Sequence, residues 1–137
     1  MLTDEIKKQL IEKAQATWHK AYAPYSKYGV GAALLTGSGK IFEGINIENA
    51  VYPLTVCGER VAVFKAVSEG ERDFVAIAVV TKNGGTPCGA CRQVMAEFGL
   101  GMMVFIADLE GNILHELTVA ELLPHAFGEG DLDAAGG

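Results

Sequence analysis

No stretch of this sequence is both apolar and long enough to span a bilayer. The longest apolar runs, such as Val75 to Val80, fall far short of the roughly 20 residues a spanning helix needs. A soluble protein with no membrane partner is expected. Nor does the chain open on a basic segment followed by an apolar one: Thr3-Asp4-Glu5-Ile6-Lys7-Lys8 does not resemble a secretory signal, so a cytoplasmic location is expected. Positive charge is scarce. Eleven Lys and Arg against 17 Asp and Glu leave a formal net charge of −6, and no basic strip is present that could release counterions from a phosphate backbone. That excludes a strong hold on nucleic acid and favours a small-molecule substrate. Cysteine is limited to three residues. An odd number in an intracellular chain disfavours a disulfide framework and points to metal binding or a reactive thiol.

What is present fits one compact domain over residues 1–137, with Asp131 to Gly137 small and polar enough to fray. Apolar residues at Ile6, Leu10, Ile11, Ala14, Trp18 and Tyr22 recur at helical spacing behind Thr3, a suitable N-cap, and predict a helix from Asp4 to Tyr22. Val30 to Leu35 and Ile41 to Ile47 flank Gly37-Ser38-Gly39 and read as an antiparallel pair. A second helix is predicted from Cys57 to Glu69, with Gly70 as its stop. Phe74 to Thr81 reads as a buried strand, and a helix follows from Pro87 to Phe98, ended by Gly99-Leu100-Gly101. Met102 to Ala107 and Ile113 to Leu117 read as strands about a Glu110-Gly111-Asn112 turn, and Thr118 caps a short helix through Leu123. This order predicts an α/β fold, a layered sheet with helices over its faces.

Cys88 and Cys91 lie three residues apart in Pro87-Cys88-Gly89-Ala90-Cys91, on one face of a helical first turn. Cys57 falls at the start of the preceding helix. Helix N-termini favour anions, so both places stabilise the thiolates that zinc ligation requires. Three protein ligands leave one tetrahedral position for water, the arrangement of a catalytic site. No fourth Cys exists, and His19, His115 and His125 are distant in sequence and read as ordinary surface or packing residues. The Cys88–Cys91 pair alone is equally consistent with buried thiols or a redox pair. Glu59, two residues after Cys57, adds a group able to carry protons. Cys-X-Glu followed by Pro-Cys-X-X-Cys is close to the signature of zinc deaminases.

From Asp4 to Phe127 the chain resembles the small homotetrameric cytidine deaminases. Tyr22-Ala23-Pro24-Tyr25-Ser26, Val30-Gly31-Ala32-Ala33-Leu34, Asn46-Ile47-Glu48-Asn49-Ala50, Cys57-Gly58-Glu59-Arg60 and Pro87-Cys88-Gly89-Ala90-Cys91-Arg92-Gln93 carry the likeness, in that order. The resemblance implies a three-layer fold with a five-stranded mixed sheet flanked by helices, and one Zn2+ per subunit on Cys57, Cys88 and Cys91. It implies Glu59 as the catalytic base and acid, and hydrolysis of cytidine and 2'-deoxycytidine to the uridines and ammonia in pyrimidine salvage. Asn46 and Glu48 would bind the ribose hydroxyls, Tyr28 and Gly58 would border the base, and Phe127 would stack on it from a neighbouring subunit. Arg60 would hydrogen-bond the thiolates and offset the −1 charge of a tris-thiolate zinc core. Two positions depart from the family pattern: Gly58 replaces the usual Ala, and Tyr28 a common Phe. The methyl missing at Gly58 suggests tolerance of N4-substituted cytidines. The competing readings are a deaminase of another cytosine-bearing nucleoside and a non-catalytic, zinc-stabilised interaction module.

Overall fold

The structure is a computed structural model and describes residues 2–134. Helix α1 (Asp4–Trp18) begins at Thr3, whose hydroxyl accepts from Ile6 N at 3.2 Å, and buries Leu10, Ile11, Ala14 and Thr17 along one side. Strands β1 (Val30–Thr36) and β2 (Ile41–Ile45) form the predicted antiparallel pair. Helix α2 (Gly58–Ser68), strand β3 (Phe74–Thr81), helix α3 (Gly89–Phe98), strands β4 (Met103–Ala107) and β5 (Ile113–Thr118), and helix α4 (Val119–Leu122) follow. Thr118 and Glu121 close a reciprocal capping box on α4.

The five strands form one mixed sheet in the order β2-β1-β3-β4-β5. Only β3 and β4 run parallel, and α3 makes the crossover between them that a parallel pair requires. Alternation along the central strands gives each face its own core. Ala33, Leu35, Ala76, Ala78, Val80 and Phe105 pack with Leu10, Ile11 and Ala14 of α1. Ala32, Leu34, Ile77, Val79, Val104 and Ile106 pack with Ala62, Val63, Cys91 and Met95 of α2 and α3. Three layers result, because a sheet buried on both sides reads as an unbroken apolar run in its inner strands.

Two glycines set how closely the helices approach. A Cβ at Gly31 would overlap the α1 backbone at Ala14 and Trp18, and one at Gly44 would overlap Gly58 O and crowd Ala62 of α2. Gly44 thereby seats the first turn of α2, the turn that presents Cys57 and Glu59. Gly44→Ala is expected to cost about 1–3 kcal/mol of stability through overpacking and to weaken zinc binding, checked by thermal unfolding and metal titration. Gly101→Ala, where a Cβ meets nothing within 4 Å, is the neutral control.

Most boundaries fall within one residue of expectation, but β2 stops at Ile45 rather than Ile47, and three other places differ. The first helix stops at Trp18, four residues before Tyr22. Lys20 N and Ala21 N close its end on Thr17 O and Trp18 O, and Tyr22 is extended, bridging to Ile47. The third begins at Gly89 rather than Pro87, with Cys88 as N-cap in an extended conformation. A further helix α5 (Glu129–Ala134) covers part of the stretch expected to fray, and Asp131 accepts from Gly128 N at 2.8 Å at its start. Residues 135–137 of that stretch lie outside the described residues. Trp18 turns its indole N–H onto Gly29 O at 2.8 Å, tying the end of α1 to the segment that enters β1.

Candidate metal centre and active site

The site lies at one end of the sheet. Val30 opens β1 and pairs with Thr81, which ends β3, while Gly31 pairs with Ile45 at the end of β2, one residue before Asn46. Past the carboxyl end of β3 the chain crosses to α3, the region where open α/β sheets place ligands. Cys57 is the N-cap of α2 and Cys88 the N-cap of α3. Cysteine is a poor cap, and neither side chain makes a capping hydrogen bond. Each position forgoes the roughly 1 kcal/mol a Ser or Asp would contribute, leaving its sulfur free to face the other.

The three sulfurs lie within 4.8 Å of one another, with Cys88 Sγ 3.9 Å from Cys57 Sγ and 3.4 Å from Cys91 Sγ. Among the described residues, no histidine joins this cluster. Cys91 is fully buried and Cys88 is exposed. In the metal-free chain the negative charge settles on Cys57: the Cys91 thiol hydrogen-bonds to it and Arg60 lies beside it, and together these outweigh burial and lower its pKa. Cys91 retains its proton, its pKa raised by that same hydrogen bond and by burial. Arg60 Nη2 is 3.6 Å from Cys57 Sγ. Three soft donors converging within one ion's reach, next to a single guanidinium, fit a zinc ion.

Glu59 points into the same cavity as Cys57 and Cys88. It is only 4% exposed, and among the described residues its Oε1 has no hydrogen-bond partner. Burial pushes its carboxyl up from 4.5 to about 7, so near neutral pH it can both take and give a proton. The cavity holds about 280 Å3 and is walled further by Ser26, Tyr28, Val30, Asn46, Glu48 and Thr86, among others.

Asn46 is buried, and its carboxamide is already half engaged, accepting from Val30 N at 2.9 Å and donating to Tyr28 O at 2.8 Å. Glu48 accepts from Tyr25 N, Ser26 N and the Ser26 hydroxyl. The last of these contributes most to holding its carboxyl below the ordinary range. Tyr28 walls the cavity, whereas Gly58 is buried and does not line it. A Cβ at Gly58 would meet Val30 and Asn46 N at 3.1–3.3 Å, so the missing methyl eases the packing beneath the cavity. Phe127 is 58% exposed and lies apart from the cavity of its own chain; its carbonyl accepts from Gln93 at 2.8 Å.

Two residues without a role assigned from sequence, Arg92 and Thr81, shape the site. Arg92 clamps the approach to Cys88, donating to Pro87 O, Leu122 O and Thr86 Oγ1. Thr81 accepts from Gly85 N, folding the loop back on the strand end. The one signal available for Arg92 was its place directly after Cys91.

Fold and site together define a metal-centred catalytic domain whose ligands sit on two helix starts. The profile of the cytidine and deoxycytidylate deaminase zinc-binding region matches residues 4–107. Cytidine deaminases from Sporosarcina psychrophila and Halalkalibacterium halodurans are each 53% identical over 130 residues, which is 93% of this chain and 95% and 98% of theirs. A crystal structure of cytidine deaminase from Burkholderia pseudomallei superposes with a TM-score of 0.85 at 46% identity, covering 92% of this chain and 100% of that one. The chain belongs to the cytidine and deoxycytidylate deaminase zinc-binding family.

Proposed function

We propose that this protein hydrolyses cytidine and 2'-deoxycytidine to the corresponding uridines and ammonia, with Glu59 moving the protons. The observation that carries this reading is the buried Glu59 carboxyl, whose Oε1 has no hydrogen-bond partner among the described residues, in one cavity with Cys57 and Cys88. Cys57, Cys88 and Cys91 hold one zinc ion, which supplies the Lewis acidity that lets water act as a nucleophile near neutral pH. Glu59 takes a proton from the attacking water and delivers it to N3 of the pyrimidine. It then returns a proton to the departing amine as C4 becomes a carbonyl. Arg60 offsets the negative charge of the thiolates. Asn46 retains one amide hydrogen and one lone pair beyond its contacts with Tyr28 and Val30, and with Glu48 it takes the ribose hydroxyls.

The cavity lining contains Glu48 and neither Lys nor Arg, which favours nucleosides over their phosphates. An apolar exposed face, including Tyr22, Ile47, Leu54 and Phe64, together with the exposed Phe127, supports a homotetramer in which Phe127 completes a neighbour's site. No described helix is long and apolar enough to cross a membrane. A single domain working in the cytoplasm in pyrimidine salvage suits such a substrate.

Zinc-quantified protein assayed for ammonia release is expected to turn over cytidine and deoxycytidine. Deoxycytidylate, cytosine, adenosine and guanine are expected to react at least about 100-fold more slowly in kcat/KM, the discrimination that about 3 kcal/mol gives. Full zinc occupancy with no turnover of any of these would instead mark a zinc-stabilised interaction module.

A further inference from the structure

The loop between β3 and α3 meets the opposite cavity wall at one polar contact. Tyr28 Oη donates to Asn83 Oδ1 at 2.6 Å. Tyr28 is also held by its backbone, its N–H donating to Ser26 Oγ and its carbonyl accepting from Asn46. It therefore links the Glu48 and Asn46 side of the cavity to the loop that leads to Cys88. Gly85 lies on that loop at the same place: a Cβ there would overlap Tyr28 Oη, while the nearest ring carbon, Cζ, stays at 3.6 Å, an ordinary contact. Gly85 has no positive φ, so its backbone is open to any residue. What demands glycine at 85 is the hydroxyl at 28.

We propose that Asn83 is a positioning residue and Gly85 a slot without a side chain, which together seat the Tyr28 hydroxyl and fix the width of the nucleoside cavity between its two walls. This rests on the deaminase reading above. Because Tyr28 acts on the bound nucleoside through shape, releasing its hydroxyl affects substrate binding more than proton transfer. Tyr28→Phe and Asn83→Ala are each expected to raise KM for cytidine about three- to tenfold, the range one lost hydrogen bond spans. Neither should change kcat by more than about twofold or alter zinc content, and the double variant should be no worse than either single one. Asn83→Asp keeps an acceptor oxygen and is expected to restore most of KM.

A second arm is independent of turnover. Gly85→Ala is expected to lower the thermal midpoint by about 5 °C or more with Tyr28 present, and by less than about 1 °C in the Tyr28→Phe background, where the overlapping atom is gone. Equal loss in both backgrounds would overturn the proposal, as would an unchanged KM in Tyr28→Phe and Asn83→Ala. If wild-type protein with full zinc occupancy did not deaminate cytidine, the functional reading would fail by itself, and the Gly85 pair would still test the slot.

Discussion

Glu59→Gln is expected to lower kcat by roughly 10³- to 10⁴-fold, the upper range for losing a general acid–base group, while the chain keeps its zinc. Glutamine preserves the shape of the side chain but cannot accept the proton of the attacking water, and the three sulfurs are untouched. The same substitution has the opposite effect on stability. In the metal-free chain burial raises the Glu59 carboxyl from 4.5 to about 7, so the folded state holds its proton longer than the unfolded state. The associated stability is fully present below about pH 4.5 and is lost as pH rises through about 7. Above that the ionised carboxylate costs on the order of 3 kcal/mol. Metal-free Glu59→Gln should therefore unfold at higher denaturant than the metal-free parent at pH 8, with the gap closing towards pH 4.5. Near-parental turnover, or equal midpoints at pH 8, would remove Glu59 from the role assigned to it.

Cys91→Ala is expected to abolish stoichiometric zinc binding and turnover together. Cys91 is fully buried and contributes one of the three sulfurs, and two thiols across two helix starts leave an ion half ligated by protein. Because binding to the folded state alone stabilises that state, zinc at about 100 times its dissociation constant should raise the parent's unfolding midpoint by on the order of 10 °C. The same addition should leave Cys91→Ala unmoved. Zinc content by atomic absorption and unfolding with and without chelator give the two readings. One equivalent of zinc retained by Cys91→Ala would mean that another group serves as ligand.

The parts of this molecule written in local chemistry were legible before any coordinates. The apolar run Phe74 to Thr81 is bounded correctly because a strand buried on both faces needs no alternation, and Thr3 and Thr118 cap the helices they precede. The spacing of Cys88 and Cys91 placed both at one helix start for the same reason. Tyr22 shows where local reading stops: its spacing continues the apolar stripe of α1, yet its backbone pairs with Ile47, 25 residues later. The small, polar residues from Asp131 onward signal a fraying tail, yet α5 runs through Ala134 and the Asp131 carboxylate accepts from Gly128 N at its start. The walls of the cavity were the least visible. Asn46 reaches the backbone of residues 28 and 30, and Tyr28 reaches Asn83, partners 16 to 55 positions apart. Nothing in a short sequence window relates such pairs.

Trp18 is the chain's one tryptophan, and its indole N–H is bonded to the carbonyl next to Tyr28. The protein thus carries an intrinsic fluorophore on the back of the cavity wall. Small displacements of the 28–30 segment on ligand entry will change the polarity around that indole, so emission wavelength and lifetime can follow occupancy without a label or a chemical step.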